Sequence, residues 1–536
     1  MNKSYRPVYH ASVPSGWSND PNGTIFYNGK AHLFYQHYPH KPEWGTMHWY
    51  HMTTKDLVHW ESLPIALYPD RDYEVICGCC SGSTIEIDGD LYLMYTAAQP
   101  ERQRQCLAIS RDGGVTFEKY ETNPILTAEM LSEEVSTKDF RDPRLFKKDG
   151  WYYFLAGARV ILPSSADTPG PKDSTPHLPS SSIRISPSAA AKVSQPDSAN
   201  ADDTVVRSPS QGDVSGVDPE KDGYGNLILC KSRDLLHWEY VGYLLHRQKE
   251  YEDDFYVLNG VYECPDYIVL DGQEIVLSSP QNLPQMGNRF QNVHSGLYMV
   301  GKLDFDTGRF DVEKIGELDN GFDFYAAQTL RMPDGRVIMI SWKEMWDRNY
   351  PTQAEGWAGT YSFPREFRME GTQLIQKPAR ELDAFCQNRV FCRSLTIDDS
   401  EASVSGVSGN VTRIRFTLEP GTASKAGVKL FCGKEHETVV CYDRKEGVIF
   451  IDRSKSGIPF RGSEDNVNVR KCDVGQLDSV EFEMLLDISS LEVFIDGGRH
   501  VMTANVYPDP EDLDVRFFAD GGDAVFKEIE KFDVVV

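Results

Sequence analysis

The apolar positions of the chain fall into short runs separated by turn residues, and one arrangement of them recurs. An apolar strand leads into Asn-Gly or Asp-Gly and out into a second strand rich in Tyr, Phe, Leu and Val. The copies span Thr24–Tyr38 around Asn28-Gly29, Ser83–Ala97 around Asp88-Gly89, and Arg144–Ala158 around Asp149-Gly150. Two more span Tyr267–Ser279 around Asp271-Gly272 and Leu330–Trp342 around Asp334-Gly335. Both residues of such a pair tolerate the positive φ of a type I′ turn, so each copy predicts a β-hairpin. The turns are 60, 61, 122 and 63 residues apart. The long interval is two units, and within it the stretch from Pro163 to Gly223 holds no aromatic residue. A segment of that composition cannot bury enough apolar surface to offset its ordering entropy, which predicts a disordered insertion over about 163–222. Removing about 60 residues restores the period.

A second element repeats in the same phase. Lys55-Asp56-Leu57-Val58-His59-Trp60-Glu61 is echoed by Arg233-Asp234-Leu235-Leu236-His237-Trp238-Glu239, and more weakly around Asp112 and Asp306. Five mostly β units of about 60 residues predict a five-bladed β-propeller over residues 1–375. There the period stops. Pro378–Phe385 reads as a short helical link, placed at 376–385. Beyond it, Ile414, Phe416 and Leu418 alternate with Arg413, Arg415 and Thr417, and Leu491, Val493 and Ile495 alternate with Glu492 and Asp496. Half-buried antiparallel strands have this pattern, so residues 386–536 are expected to form a C-terminal β-sandwich in an all-β protein.

Charge narrows the partners. The formal net charge is −26, which repels phosphate backbones and anionic lipid, so neither nucleic acid nor membrane is expected as a partner. Aromatic residues make up 11% of the chain, enough for large cores and for stacking on sugar faces. The first residues carry no apolar signal core, and no stretch approaches the ~18 apolar residues of a membrane span. The 11 cysteines are an odd number without metal-type spacing. Together these point to reduced thiols and a cytoplasmic location.

Three acidic residues share one repeat phase. Asp20 lies 8 residues before Asn28, Asp142 lies 7 before Asp149, and Glu263 lies 8 before Asp271. The matching points of the other two blades are Cys80-Ser81 and Ala326, which are small. In a propeller, residues at one phase converge at one end of the central channel. Like charges held together raise one another's pKa, which supplies a protonated acid beside an ionised nucleophile. Retaining glycoside hydrolysis needs such a pair roughly 5 Å apart. Taken singly, each acid reads more readily as a turn or capping residue. A divalent cation held by the three carboxylates is a further reading.

At these residues the sequence resembles glycoside hydrolase family 32, which includes invertases, inulinases and sucrose-6-phosphate hydrolases. The matching motifs are Trp17-Ser18-Asn19-Asp20-Pro21-Asn22-Gly23, Arg141-Asp142-Pro143 and Glu263-Cys264-Pro265-Asp266. Further matches are Ser81-Gly82-Ser83, Gly321-Phe322-Asp323-Phe324-Tyr325, Trp357-Ala358-Gly359 and Pro364-Arg365-Glu366. The resemblance implies that Asp20 is the nucleophile, Glu263 the general acid/base and Asp142 the transition-state stabiliser. It implies a fructose pocket lined by Asn19, Gln36, Trp44, Ser81, Arg141 and Trp357. It also implies release of a terminal fructosyl unit from sucrose, sucrose-6-phosphate or short fructo-oligosaccharides by double displacement, with no metal and no organic cofactor. Core packing is the alternative for Trp44 and Trp357, and a surface ion pair for Arg141. Cys80 stands where the family usually carries an aromatic residue, which is expected to remove an apolar wall from the pocket. Three rival activities share much of the pattern: a different glycan-hydrolysing propeller, a fructosyltransferase using the same intermediate, and a non-catalytic sugar-binding propeller.

Overall fold

The computed structural model describes residues 4–161, 223–246, 260–346, 348–462 and 466–536. The insertion expected at 163–222 lies outside the described residues. The protein is nearly all β, with five sheets of four or five strands arranged as propeller blades and a larger sheet at the C-terminal end. The five inner strands are Gly16–Tyr27, Gly78–Ile87, Val135–Lys148, Tyr262–Leu270 and Tyr325–Arg331. Each packs on the next, and the fifth packs back on the first, which closes the ring. The chain fastens the ring by pairing Trp357-Ala358 in parallel with Gly16-Trp17.

All five predicted hairpins form. Four turn at the expected dipeptide, with positive φ at both of its residues, as at Asn28 (49°) and Gly29 (75°). The fifth differs. Gly335 is left-handed but Asp334 is not, and the loop is closed by Met332 and Arg336, which exchange a backbone hydrogen bond. The second repeat is equally physical. Asp56 Oδ1 accepts the amides of Val58 and His59, and Asp234 Oδ1 accepts those of Leu236 and His237. The leucine after each aspartate is left-handed, with φ of 61° at Leu57 and 66° at Leu235. An acidic side chain capping a tight turn explains why these two segments look alike.

Beneath the acids a belt of hydrogen bonds ties blade to blade. Thr84 Oγ1 donates to the Gly23 carbonyl, Ser83 Oγ to that of Pro143, and Thr24 Oγ1 to that of Thr329. Asp266, at the end of the Glu263 motif, accepts Thr329 N–H and Oγ1–H and pairs with Arg144 at 2.7 Å. These contacts join each blade to both of its neighbours.

The 3-10 helix Arg380–Phe385 leads into the sandwich. Its ten strands form one continuous sheet, because the 21-residue strand Asp514–Val534 pairs with three neighbours and bends across both layers. Ile414, Phe416 and Leu418 point into its core as the alternation predicts. The second alternation needs correcting. Strand Ser490–Ile495 is buried on both faces, and Glu492 is fully buried instead of facing water. It faces the propeller, where charges meet charges. Arg365 Nε and a terminal nitrogen donate to Glu492 Oε2 at 3.0 and 2.8 Å, and another reaches Asp319 at 3.0 Å. His10 lies between Asp487 (2.9 Å) and Glu492 (3.0 Å). Asp323 pairs with Arg348 of its own half and with Arg453 of the sandwich. The motifs containing Asp323 and Arg365 thus build the joint between the two halves. No helix among the described residues is long and apolar enough to cross a membrane.

Candidate active site

Every inner strand departs from regular pairing at the phase of the acids. Register slips between Ser18 and Pro21, Cys80 and Gly82, Arg141 and Arg144, Glu263 and Asp266, and Tyr325 and Gln328. Bulges re-aim side chains. In three blades the bulge forces a non-glycine residue left-handed: Asp142 (φ 63°), Cys264 (46°) and Ala326 (55°). Such strain concentrates at functional sites, where surrounding contacts hold it in place.

The three acids come together, each buried: Asp20 is 7% exposed, and Asp142 and Glu263 are 4% exposed each. Asp20 is gripped by donors from three blades. Asn19 Nδ2 donates to Oδ1 at 3.1 Å, and Oδ2 accepts Gln36 Nε2 at 2.9 Å and Ser81 Oγ at 2.6 Å. Cys264 Sγ approaches the same oxygen at 3.4 Å. Gln36 also bonds to Ser81, and Asn19 is itself oriented by Trp17 Nε1. Asp142 Oδ2 accepts the Cys264 amide at 3.0 Å, and its own amide donates to Thr96 Oγ1. Cys264 Sγ, 3.8 Å from Asp142 Oδ2, stands between the two aspartates.

Glu263 is held differently. Its Oε1 accepts Arg141 Nε at 3.0 Å, and its Oε2 is 2.6 Å from the Tyr325 hydroxyl. Arg141 further reaches Asp139 at 2.8 Å and the side-chain carbonyls of Gln103 and Gln281. Burial and the nearby Glu263 charge push Asp20 above the usual carboxylate range, against the hydrogen bonds from Ser81, Asn19 and Cys264. Asp142 is raised by burial and by Glu263, with Arg141 opposing and Asp20 adding. Burial disfavours the Arg141 cation, but Glu263, Asp139 and Asp142 outweigh it and keep the guanidinium charged. The centre therefore combines a carboxylate pinned by neutral donors with a carboxyl placed between a cation and a phenol. That combination suits nucleophilic attack at one group and proton transfer at the other.

Of the residues expected to line a sugar pocket, Asn19, Gln36 and Ser81 meet on Asp20, and Arg141 meets Glu263. Trp44 is half-buried and packs on Cys77, Cys80 and Ala98 at the seam of the first two blades. Trp357, 2% exposed, donates to Glu355 Oε2 and lies under the Arg6 guanidinium. Cys80 lies beneath Trp44, and its carbonyl accepts Trp49 Nε1. Sequence reasoning did not single out Gln103, Thr96 or Asp139. The first two sit on second-blade strands that carry no motif. Asp139 precedes Arg141-Asp142-Pro143 by two residues and reads there as an ordinary acid.

Comparison with known proteins identifies the family of the chain. The N-terminal domain model of glycosyl hydrolases family 32 matches residues 10–165 and 214–378, and the C-terminal model matches residues 383–534. A sucrose-6-phosphate hydrolase of Zymomonas mobilis is 31% identical over 99% of this chain and 93% of its own length. The solved sucrose-6-phosphate hydrolase from Lactobacillus gasseri superposes with a TM-score of 0.76 at 26% identity, covering 99% of this chain and 93% of the other. A mutant Bombyx mori GH32 β-fructofuranosidase in complex with sucrose gives 0.72 at 28% identity, covering 99% and 94%.

Proposed function

The chain belongs to glycosyl hydrolases family 32, and from that premise we propose how its residues divide the work. The enzyme is a glycosidase that releases terminal β-D-fructofuranosyl units from sucrose, sucrose-6-phosphate or short fructo-oligosaccharides. Asp20 attacks the anomeric carbon, and its bond to that carbon forms as the bond to the leaving oxygen breaks. Glu263 gives its proton to that oxygen. Water then enters, Glu263 takes its proton, and the water oxygen displaces Asp20 to release fructose. Asp142 stabilises the oxocarbenium-like charge and accepts sugar hydroxyls. Asn19, Gln36 and Ser81 fix the nucleophile, Arg141 fixes Glu263, and Trp44 and Trp357 wall the sugar. The observation that carries this reading is the grip on Asp20: four donors from different parts of the ring aim one buried carboxylate.

We place the enzyme in the cytoplasm, because all 11 of its cysteines are free thiols, as a reducing compartment keeps them. A phosphorylated leaving group calls for a cation at the pocket rim. Four basic residues are candidates for it: Lys41, which pairs with Glu43; Arg102, which pairs with Glu129; Arg104, which donates to Gln99; and His40, which lies edge-on to Tyr38 and His48. The test is fructose release from sucrose, sucrose-6-phosphate and a short inulin-type oligosaccharide, with Asp20→Asn in parallel. Release from at least one of them, lost in the variant, supports the reading, and the order of rates assigns the substrate. No release from any of the three by the unaltered enzyme would overturn it.

A further inference from the structure

A chain of alternating charges runs outward from Glu263 through the pocket wall. Glu263 Oε1 accepts Arg141 Nε at 3.0 Å, and another Arg141 nitrogen reaches Asp139 Oδ1 at 2.8 Å. The second oxygen of Asp139 accepts Arg159 Nε at 2.6 Å. One carboxylate therefore bridges two guanidiniums, one in contact with Glu263 and one beyond it. Both arginines are almost completely buried, whereas the Asp139 side chain is 23% exposed.

The backbone is built for this bridge. In the third blade Val135 pairs with Val160 and Phe140 with Ala158, so residues 136–139 bulge out opposite Arg159 alone. The bulge turns Asp139 back toward both arginines. Burial would raise its carboxyl, but Arg141 and Arg159 outweigh burial and hold it below the usual carboxylate range, as a charged bridge requires. The reach of Asp139 to Glu263 passes through Arg141.

We infer that Asp139 is a positioning residue for the reaction, which together with Arg159 sets how strongly Arg141 acts on Glu263. The inference rests on Glu263 being the general acid/base. A guanidinium held by Asp139 on one side orients the Glu263 carboxyl on the other. Removing the Asp139 charge leaves Arg141 with one anion fewer, so Glu263 loses its proton more readily. Removing the Arg159 charge does the opposite, because Asp139 then balances Arg141 alone. The other groups facing Glu263 are Asp20 from the first blade, Asp142 from the third, Cys264 beside it, and Tyr325 from the fifth with the His294 ring tilted against it. None of these changes in either variant.

The experiment is the pH dependence of kcat/KM for sucrose hydrolysis by the full-length enzyme, its Asp139→Asn and Arg159→Gln variants, and Arg159→Lys as the charge-keeping control. Asp139→Asn should lower kcat several-fold with little change in KM. It should move the alkaline limb to lower pH, because a nearby anion that opposed ionisation has been removed. Arg159→Gln should move that limb up, and Arg159→Lys should leave it in place. Shifts in the same direction for Asp139→Asn and Arg159→Gln, or no shift in either, overturn the inference, because a purely structural loss has no reason to change sign. If Asp139→Asn fails to fold, the two Arg159 variants decide it alone: a limb that does not rise in Arg159→Gln overturns it. Glu263→Gln separates the two levels. If it retains full activity, the assignment of Glu263 fails. If it abolishes turnover while the limb stays fixed in the other variants, only the role of Asp139 fails.

Discussion

The Tyr325 hydroxyl lies 2.6 Å from Glu263 Oε2 and 2.8 Å from the Ser279 carbonyl oxygen. A phenol has one hydrogen, and a carbonyl can only accept. Both contacts are satisfied together when Tyr325 donates to Ser279 and Glu263 carries the proton and donates to Tyr325. In that arrangement the proton that the first step of the reaction needs sits on Glu263. Tyr325→Phe should lower kcat/KM by about 10- to 100-fold, within the usual range for disturbed proton transfer. Its alkaline limb should move to lower pH at nearly unchanged thermal stability. A pH-rate series with a melting curve checks this; an unmoved limb refutes the proton-holding role.

Asp20 is raised by burial and by Glu263, so the fold bears the cost of ionising it. For a group raised in the folded state, stability is fully present below the unfolded value, ~3.9, and is lost as pH rises through the folded one. Asp20→Asn should therefore melt higher than the parent at pH 7, by roughly 1–3 °C for ~1 kcal/mol in a chain this large. The gain should vanish below about pH 4, while turnover falls by ~10⁴-fold or more. Calorimetry across pH measures the first, and fructose release the second.

Glu492 carries the opposite sign. Burial would raise it, but Arg365 and His10 hold it down at about 2. Its contribution is present above the unfolded value of ~4.3 and is lost as pH falls toward that depressed value. Glu492→Gln should cost about 3–5 kcal/mol at pH 7, because it leaves Arg365 buried with a partner missing. Denaturant unfolding at pH 7 and pH 3 should show the gap narrowing at the lower pH. An equal gap at both would mean that the loss is one of packing.

Cys80 is 4% exposed among Cys77, Ala98 and Trp44. Installing the aromatic residue usual in the family should overpack this site. Cys80→Phe is expected to cost about 1–3 kcal/mol and to disturb the neighbouring Ser81 hydroxyl on Asp20, lowering kcat more than it raises KM. Thermal melting and sucrose kinetics read the two effects. An unchanged melting temperature would show that the position opens onto the pocket.

Much of this was legible in the chain because the fold repeats. Asn28-Gly29 and its counterparts announce hairpins through local φ preferences, and a fixed period turns local signals into a global ring. The repeat phase that brings Asp20, Asp142 and Glu263 together is visible for the same reason. Glu492 was misread because alternation reports the surroundings of a strand only when one face meets water. Here a second layer of protein covers that face and supplies a guanidinium. Tyr325 stood within a matched motif, but its hydroxyl acquires meaning only when the fourth and fifth blades meet. Asp139 depends on a bulge opposite Arg159, and side-chain spacing alone does not reveal a bulge.

The joint between the two halves limits how the molecule can be divided. Arg365, Asp323 and His10 belong to the catalytic half, yet each finds a counter-charge beyond residue 450. Cutting the chain near residue 380 would unpair these ions and bare the apolar side chains packed between the halves, among them Tyr9 and Phe363 on one side and Leu485, Phe494 and Val501 on the other, and exposed apolar surface is costly in water. The propeller is thus an incomplete solute by itself. Engineering that trims the enzyme toward a smaller catalyst would have to redesign that face, exchanging its apolar side chains for polar ones, before removing any of the C-terminal strands.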